Sequence, residues 1–237
     1  MKRLTAEEGL GLFKKAELLE LGRMADGVRK GLHPEGVVTF VVDRNINYTN
    51  VCINRCTFCA FWKDEEGGYV IEPGELFRKI EETLSLGGTQ ILLQGGLHPG
   101  LGIDYYLDLL RSIKEKFRIN VHGFSPPEVC YIADRSGITI REALGLLRDA
   151  GLDSMPGGGA EILSDRVRKR LSPRKIGKGQ WLRVMHEAHR LGMRTTATMM
   201  FGSIEEPEDV IEHLEAVRAL QDRTGGFTAF IPWSFQP

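Results

Sequence analysis

Seven β-rich runs, VVTFVVD, INYTNV, TQILLQG, INVHGF, LDSMP, TTATMM and FTAFIPW, punctuate this chain, and amphipathic stretches of helical period separate most of them. The helical stretches fall at residues 75–86, 105–116, 140–150, 180–191 and 207–221, each with an apolar stripe such as Leu76, Ile80 and Leu84. Strands that alternate with helices pair in parallel through right-handed crossovers, and Gly or polar residues at several strand ends mark the mouth of a barrel. The expected architecture is therefore α/β, a (β/α) TIM-like barrel. With residues 37–42 set aside as a short hairpin-like strand, six βα-type strands remain, and the sequence stops soon after the sixth. A closed eight-unit barrel needs more chain, so the expectation is a barrel truncated after six strands, or an open six-strand barrel. Helix formers with apolar Leu12, Ala16, Leu19 and Met24 predict an N-terminal helical cap over 1–36, leaving 37–237 for the barrel core.

At 237 residues and 42% hydrophobic content, one substantial core fits better than two small ones. The 31 basic and 32 acidic residues give a net charge of −1, with no excess to condense on a phosphate backbone, so nucleic acid is not an expected partner. No run approaches the roughly twenty apolar residues of a membrane span, and MKRLTAEEGLGLFKK has no apolar signal core. A cytoplasmic location is expected.

Four cysteines are too few for a disulfide framework in this length, and three lie within eight residues as Cys52, Cys56 and Cys59. Their CxxxCxxC spacing after a strand predicted at 46–51 lets three soft thiolates converge on one loop, which suits iron–sulfur chemistry. Three protein ligands on a four-iron cluster leave one iron open, as catalytic zinc sites leave a position open. A structural zinc site is the alternative, but it wants a fourth ligand, and His98 and Cys130 stand alone. Other chemistry-bearing positions lie at predicted strand ends. Gln94-Gly95-Gly96 closes one strand, where glycine lets a backbone approach a ligand. In MPGGGAE, Glu161 follows a glycine loop and is placed to accept hydroxyl hydrogen bonds. His122 beside Ser125 is the best proton acceptor by type, although a lone strand histidine also serves as a hydrogen-bonded core residue. Glu128 acts in the site or caps the helix that Pro126-Pro127 announces. Arg168 is a carboxylate fork or a solvated charge, and Met199 and Met200 contact a ligand or fill the core. Thr228, Phe230 and Trp233 are strand-end substrate candidates. The pair His186 and His189 is spaced to bind a metal or simply to lie on a helix surface.

Phe58 directly precedes the third cysteine, and this pattern resembles the radical S-adenosylmethionine (SAM) superfamily signature. NINYTNVC, FCAF, QGGLHP, FSPPE, GLDSMPGGGAEIL, TATMMFG, LQDRTGGFTAF and IPWSFQP are similar to the group containing menaquinone futalosine-pathway enzymes and deazaflavin-forming FO synthases. PGGGAEIL with FIPWSFQP most resembles the dehypoxanthine futalosine cyclase family, whereas FO synthase components usually read PGTAAEIL. The resemblance implies a 4Fe–4S cluster on Cys52, Cys56 and Cys59, with SAM as second cofactor. It places Gln94, Gly95 and Gly96 at the SAM amino group, Glu161 at its ribose, Arg168 at its carboxylate and Met200 at its adenine. Phe58 and Ser125 border the same site, while His122 and Glu128 face the substrate. It further implies a nucleoside-type small molecule as substrate, ring closure begun by hydrogen abstraction from its ribose, and an electron donor such as a flavodoxin or ferredoxin. Aminofutalosine synthase or an FO synthase component, and in another class a non-catalytic Fe–S or zinc protein, are the alternatives.

Overall fold

A computed structural model describes residues 3–236. Helices α1 (Ala6–Lys15) and α2 (Leu18–Leu32) precede strand β1 (Asp43–Asn47). Then follow α3 (Pro73–Ser85), β2 (Gln90–Gln94), α4 (Ile103–Lys116), β3 (Asn120–Gly123), α5 (Pro126–Ser136), α6 (Ile140–Asp149) and β4 (Ser154–Met155). The chain ends with α7 (Asp165–Leu171), α8 (Lys178–Arg190), β5 (Arg194–Phe201), α9 (Pro207–Thr224) and β6 (Phe227–Ser234). All neighbouring strands pair in parallel in the order β1-β2-β3-β4-β5-β6, the sequential order of a (β/α) barrel.

The period of two along the strands separates two environments. Ile91, Leu93, Val121 and Met155 belong to the core under the helices, with Leu76, Ile80, Leu110 and Leu147. The alternate positions Gln90, Leu92, Gln94, Asn120, His122, Ser154, Thr196 and Thr198 line a cavity of about 890 Å³ inside the curl of the sheet. A closed barrel fills this space with Val, Ile and Leu; here most inward residues are polar, so the interior is built to hold something.

Several expected boundaries move. Residues 37–42 form no strand: Phe40 is 84% exposed, and β-branched residues without a neighbouring strand have no ladder to join. The strand expected at 46–51 is β1, which starts three residues earlier and leaves the sheet after Asn47. Beyond it only isolated bridges remain, Thr49 with Val70 and Val51 with Lys63. β4 stops before Pro156, which has no N–H to give a ladder. The N-terminal helical cap consists of two helices, separated where Ala16 turns extended. Neither contains a buried residue, and α1 lies on α9, with Lys14 paired to Glu208 and Arg218 donating to the Leu4 carbonyl.

Three histidines sit inside the fold. His189 is held between Thr224 at 2.6 Å and Thr195 at 2.7 Å, so it is not the metal-binding partner of His186. His213 is fully buried, and its Nδ1 accepts from the Leu163 N–H at 3.0 Å. His122 contacts Ser154 Oγ at 2.7 Å rather than Ser125. Burial pushes each of them down to about 4. A folded-state value below the unfolded one means that stability is complete above about pH 6.5 and is lost as pH falls toward about 4. For His213 alone the loss by about pH 5 is roughly 2 kcal/mol. Urea midpoints measured at about pH 7 and about pH 5 are expected to show a clear drop, reduced in a His213→Gln variant.

Candidate active site

The cysteine loop is laced to its surroundings by backbone hydrogen bonds. Tyr48 N–H donates to the Gln94 carbonyl, Gly96 N–H to Thr49 and Ile53 N–H to Leu97, which zips the loop entrance to the segment after β2. Cys52 N–H donates to Lys63, Thr57 N–H to Leu171 and Cys59 N–H to Cys56. Arg55 takes a left-handed backbone at φ 45°, a conformation the loop sustains because both its flanks are pinned. The result is three free cysteines at fixed places, Cys56 buried and Cys52 and Cys59 half-buried.

All three line one cavity of about 210 Å³ together with Phe58, Gln94, Gly95, Gly96, Ser125, Glu128, Gly158, Gly159 and Lys175. The glycines are required by close approach. A Cβ on Gly96 would lie 2.1 Å from the Val51 carbonyl oxygen, and one on Gly95 would lie 2.5 Å from the Tyr48 ring. The second glycine loop is equally tight: Gly159 has φ 76°, and a Cβ there would meet Pro127 at 2.4 Å. Thr198 Oγ1 donates to the Gly157 carbonyl and Trp181 Nε1 to the Gly158 carbonyl, fixing that loop against the sheet.

Five of the cofactor-facing candidates, Phe58, Gln94, Gly95, Gly96 and Ser125, thus meet around the cysteines. The others lie elsewhere. Met200 is buried in an apolar cluster with Ile162, Val167 and Val210. Arg168 is 3% exposed and spends its guanidinium on the carbonyls of Ala160 and Ile176, so it presents no fork to the cavity. Glu161, at φ 42°, stands behind the cavity wall: Oε1 accepts from Lys175 Nζ at 2.8 Å, and Oε2 is buried without a hydrogen bond, 3.6 Å from Arg168. Glu128 borders the cavity but its oxygens are occupied. Oε1 accepts from Tyr48 Oη at 2.7 Å and Gly95 N–H at 3.0 Å, and Oε2 from the Ser125 N–H and hydroxyl. It completes the capping box of α5. Burial pushes its carboxyl up. His122 lies in the larger cavity, and Trp233 with Thr228 lines it too, whereas Phe230 packs against His213 in the helix layer.

Sequence reasoning missed Lys175 and Tyr48. Lys175 is one of 31 basic residues and carries no motif, and its importance comes from α7 folding back so that Thr57 can bond Leu171. Cys130 is apart from the site; burial pushes its thiol up to about 12.

The donor set fits an iron–sulfur cluster. Three free thiols line one cavity of about 210 Å³, the donor set that holds a four-iron cluster with one iron left open. A sequence model of the radical SAM superfamily matches residues 46–217, which include every residue lining this cavity. The chain belongs to the radical SAM superfamily.

Radical SAM membership implies an iron–sulfur cluster and SAM as the working cofactors. Among curated relatives, cyclic dehypoxanthine futalosine synthase of Halalkalibacterium halodurans is 48% identical over all of this chain and 65% of its own length. That of Streptomyces coelicolor is 44% identical over 99% of this chain and 60% of its own length. The 5-amino-6-(D-ribitylamino)uracil–L-tyrosine 4-hydroxyphenyl transferase of Methanopyrus kandleri is 50% identical over 84% of this chain and 54% of its own length. This radical SAM chain thus spans about 54–65% of these relatives. Among solved structures, methylornithine synthase superposes with a TM-score of 0.76 at 16% identity, over all of this chain and 66% of that one. The FeFe-hydrogenase maturase from Carboxydothermus hydrogenoformans gives 0.75 at 16% identity, over 100% of this chain and 54% of its own. These likenesses establish the fold. Among the described residues no helix is long and apolar enough to cross a membrane.

Proposed function

We propose that this chain is the core of a radical SAM cyclase that converts dehypoxanthine futalosine to its cyclic form, with a 4Fe–4S cluster on Cys52, Cys56 and Cys59. The observation that carries the reading is the continuity of two cavities. The cysteine cavity and the larger cavity inside the sheet share Gln94 and Gly158, so a cofactor in the first abuts a substrate in the second. About 890 Å³ is room for a nucleoside carrying an aromatic acid.

When bound, the cluster and SAM supply a 5′-deoxyadenosyl radical able to take a hydrogen from the substrate ribose, after one electron from a donor such as flavodoxin or ferredoxin. The protein's own part is positioning. Gln94 presents its amide at the junction of the cavities. His122 is neutral at physiological pH and engages Ser154 through Nδ1, which leaves Nε2 to orient a substrate hydroxyl rather than to store a proton.

Identity alone does not separate the cyclase from the tyrosine-dependent transferases, at 48% and 50%. Residue 158 does. FO synthase components usually carry Thr where this chain has Gly158, and here that position forms part of both cavity walls, with a Cβ placed 2.9 Å from Gln94 Nε2. Glycine keeps the passage open. Reduced, reconstituted protein with SAM is expected to release 5′-deoxyadenosine on addition of dehypoxanthine futalosine. Gly158→Thr is expected to lower that rate about tenfold or more, equivalent to about 1.4 kcal/mol or more. Release only with the aminofutalosine synthase substrate, or only with 5-amino-6-ribitylaminouracil and tyrosine, would overturn the reading.

A further inference from the structure

We infer that Lys175 is the charge partner of the iron–sulfur cluster and sets its reduction potential, together with Glu161 and Arg168 behind it. The inference rests on the cluster assignment proposed above. Lys175 is the one cation among the residues that line the cysteine cavity. Its side chain is 12% exposed, and its ammonium lies 2.8 Å from Glu161 Oε1 and 5.4 Å from the centre of the Phe58 ring.

Arg168, 3.6 Å from Glu161, keeps its charge in any protein environment, so Glu161 is shared between two cations, and Asp165 acts on Arg168 rather than on Lys175. Lys175 therefore has no carboxylate to itself, and a buried charge so placed favours a further counter-charge. The only acidic side chain lining the cavity, Glu128, is already saturated by Tyr48, Gly95 and Ser125. Three thiolates on a cluster supply the missing negative charge beside Lys175. Cluster potentials follow net charge and hydrogen bonds to sulfur, so a fixed cation here favours the reduced, more negative state. The ring of Phe58, the aromatic of the cysteine motif, lies beside the ammonium and lines the same cavity as the thiols.

The charge arithmetic gives a signed test. Wild type, Lys175→Met, Lys175→Arg, Glu161→Gln and the double variant Lys175→Met with Glu161→Gln are reconstituted anaerobically and assayed for iron and sulfide. Their clusters are then titrated by electron paramagnetic resonance without SAM. Lys175→Met is expected to shift the midpoint to more negative potential, Glu161→Gln to more positive, and Lys175→Arg and the double variant to stay near wild type. Lys169→Met, which removes an exposed cation nearby, is the control and should not shift. Opposite signs for the single variants, cancelling in the double, are not produced by a merely structural residue. Equal midpoints in cluster-loaded protein, with SAM binding lost by calorimetry in Lys175→Met, would overturn the inference and make Lys175 a ligand of SAM. Wild-type protein that takes up no iron would overturn it together with the cluster assignment.

Discussion

Glu128→Ala is expected to lower the unfolding free energy by about 3–5 kcal/mol and to leave the cysteine loop unable to hold a cluster. The carboxylate is the point where three strand ends are tied together: Tyr48 after β1, Gly95 after β2 and Ser125 after β3 all donate to it. Alanine leaves two hydroxyls and two N–H groups without their protein acceptor, and each such group that stays buried costs roughly 1–3 kcal/mol. Tyr48 also packs edge-on against Tyr106 and Phe124, so loosening its hydroxyl disturbs an aromatic cluster beneath the loop. Glu128→Gln is expected to recover about half of the loss. Its amide oxygen serves one donor pair, but its NH₂ then faces an N–H of the other. Urea denaturation with unchanged m-values, run beside the iron content of the reconstituted variants, checks both effects. A Glu128→Ala protein with wild-type stability would show that these hydrogen bonds are replaceable by water.

The same residue shows what the sequence could convey. Pro126-Pro127 announced the helix, and the acid three residues after Ser125 completes a capping box, a local pattern readable from spacing alone. That its oxygens also hold Tyr48 and Gly95 is a contact across 80 and 33 residues, which no spacing encodes. The cysteine triplet and the QGG turn were legible for the same local reason, because their chemistry is carried by neighbours in the chain. Lys175 was not legible, since a lysine acquires meaning only from the carboxylate and thiol that folding brings beside it. Arg168 misled in the opposite sense: an arginine in a basic helix reads as a surface charge or an anion fork, yet it is consumed by two carbonyls of its own segment. Residues 37–42 looked like a strand because Val and Phe favour extended backbone, but a strand is made by its partner, and none lies beside them among the described residues. The polar inner face of the sheet, finally, is visible as Gln, Asn, His, Ser and Thr at alternate positions, once the strand phase is known.

The largest effect belongs to the cysteines themselves. On the proposed cluster assignment, alanine at Cys52, Cys56 or Cys59 removes one of three protein ligands. Each variant is expected to lose most of its iron and sulfide and to cut SAM cleavage by about three orders of magnitude or more, about 4 kcal/mol. Cys130→Ala touches none of this, because that thiol is buried among the apolar residues of the core under the helices, away from the cavity. Fold is a separate matter: the backbone bonds that lace the loop to Leu97, Lys63 and Leu171 do not involve the thiols, so circular dichroism should be unchanged in all four variants. The decisive measurement is iron and sulfide per chain, with the absorption band near about 400 nm expected of thiolate-bound clusters, in anaerobically reconstituted wild type and the four single variants. About four irons in wild type and Cys130→Ala, and a collapse of iron and band in the other three, is the expected result. Iron retained without Cys52, Cys56 or Cys59, or a single tightly held zinc in wild type, would contradict it.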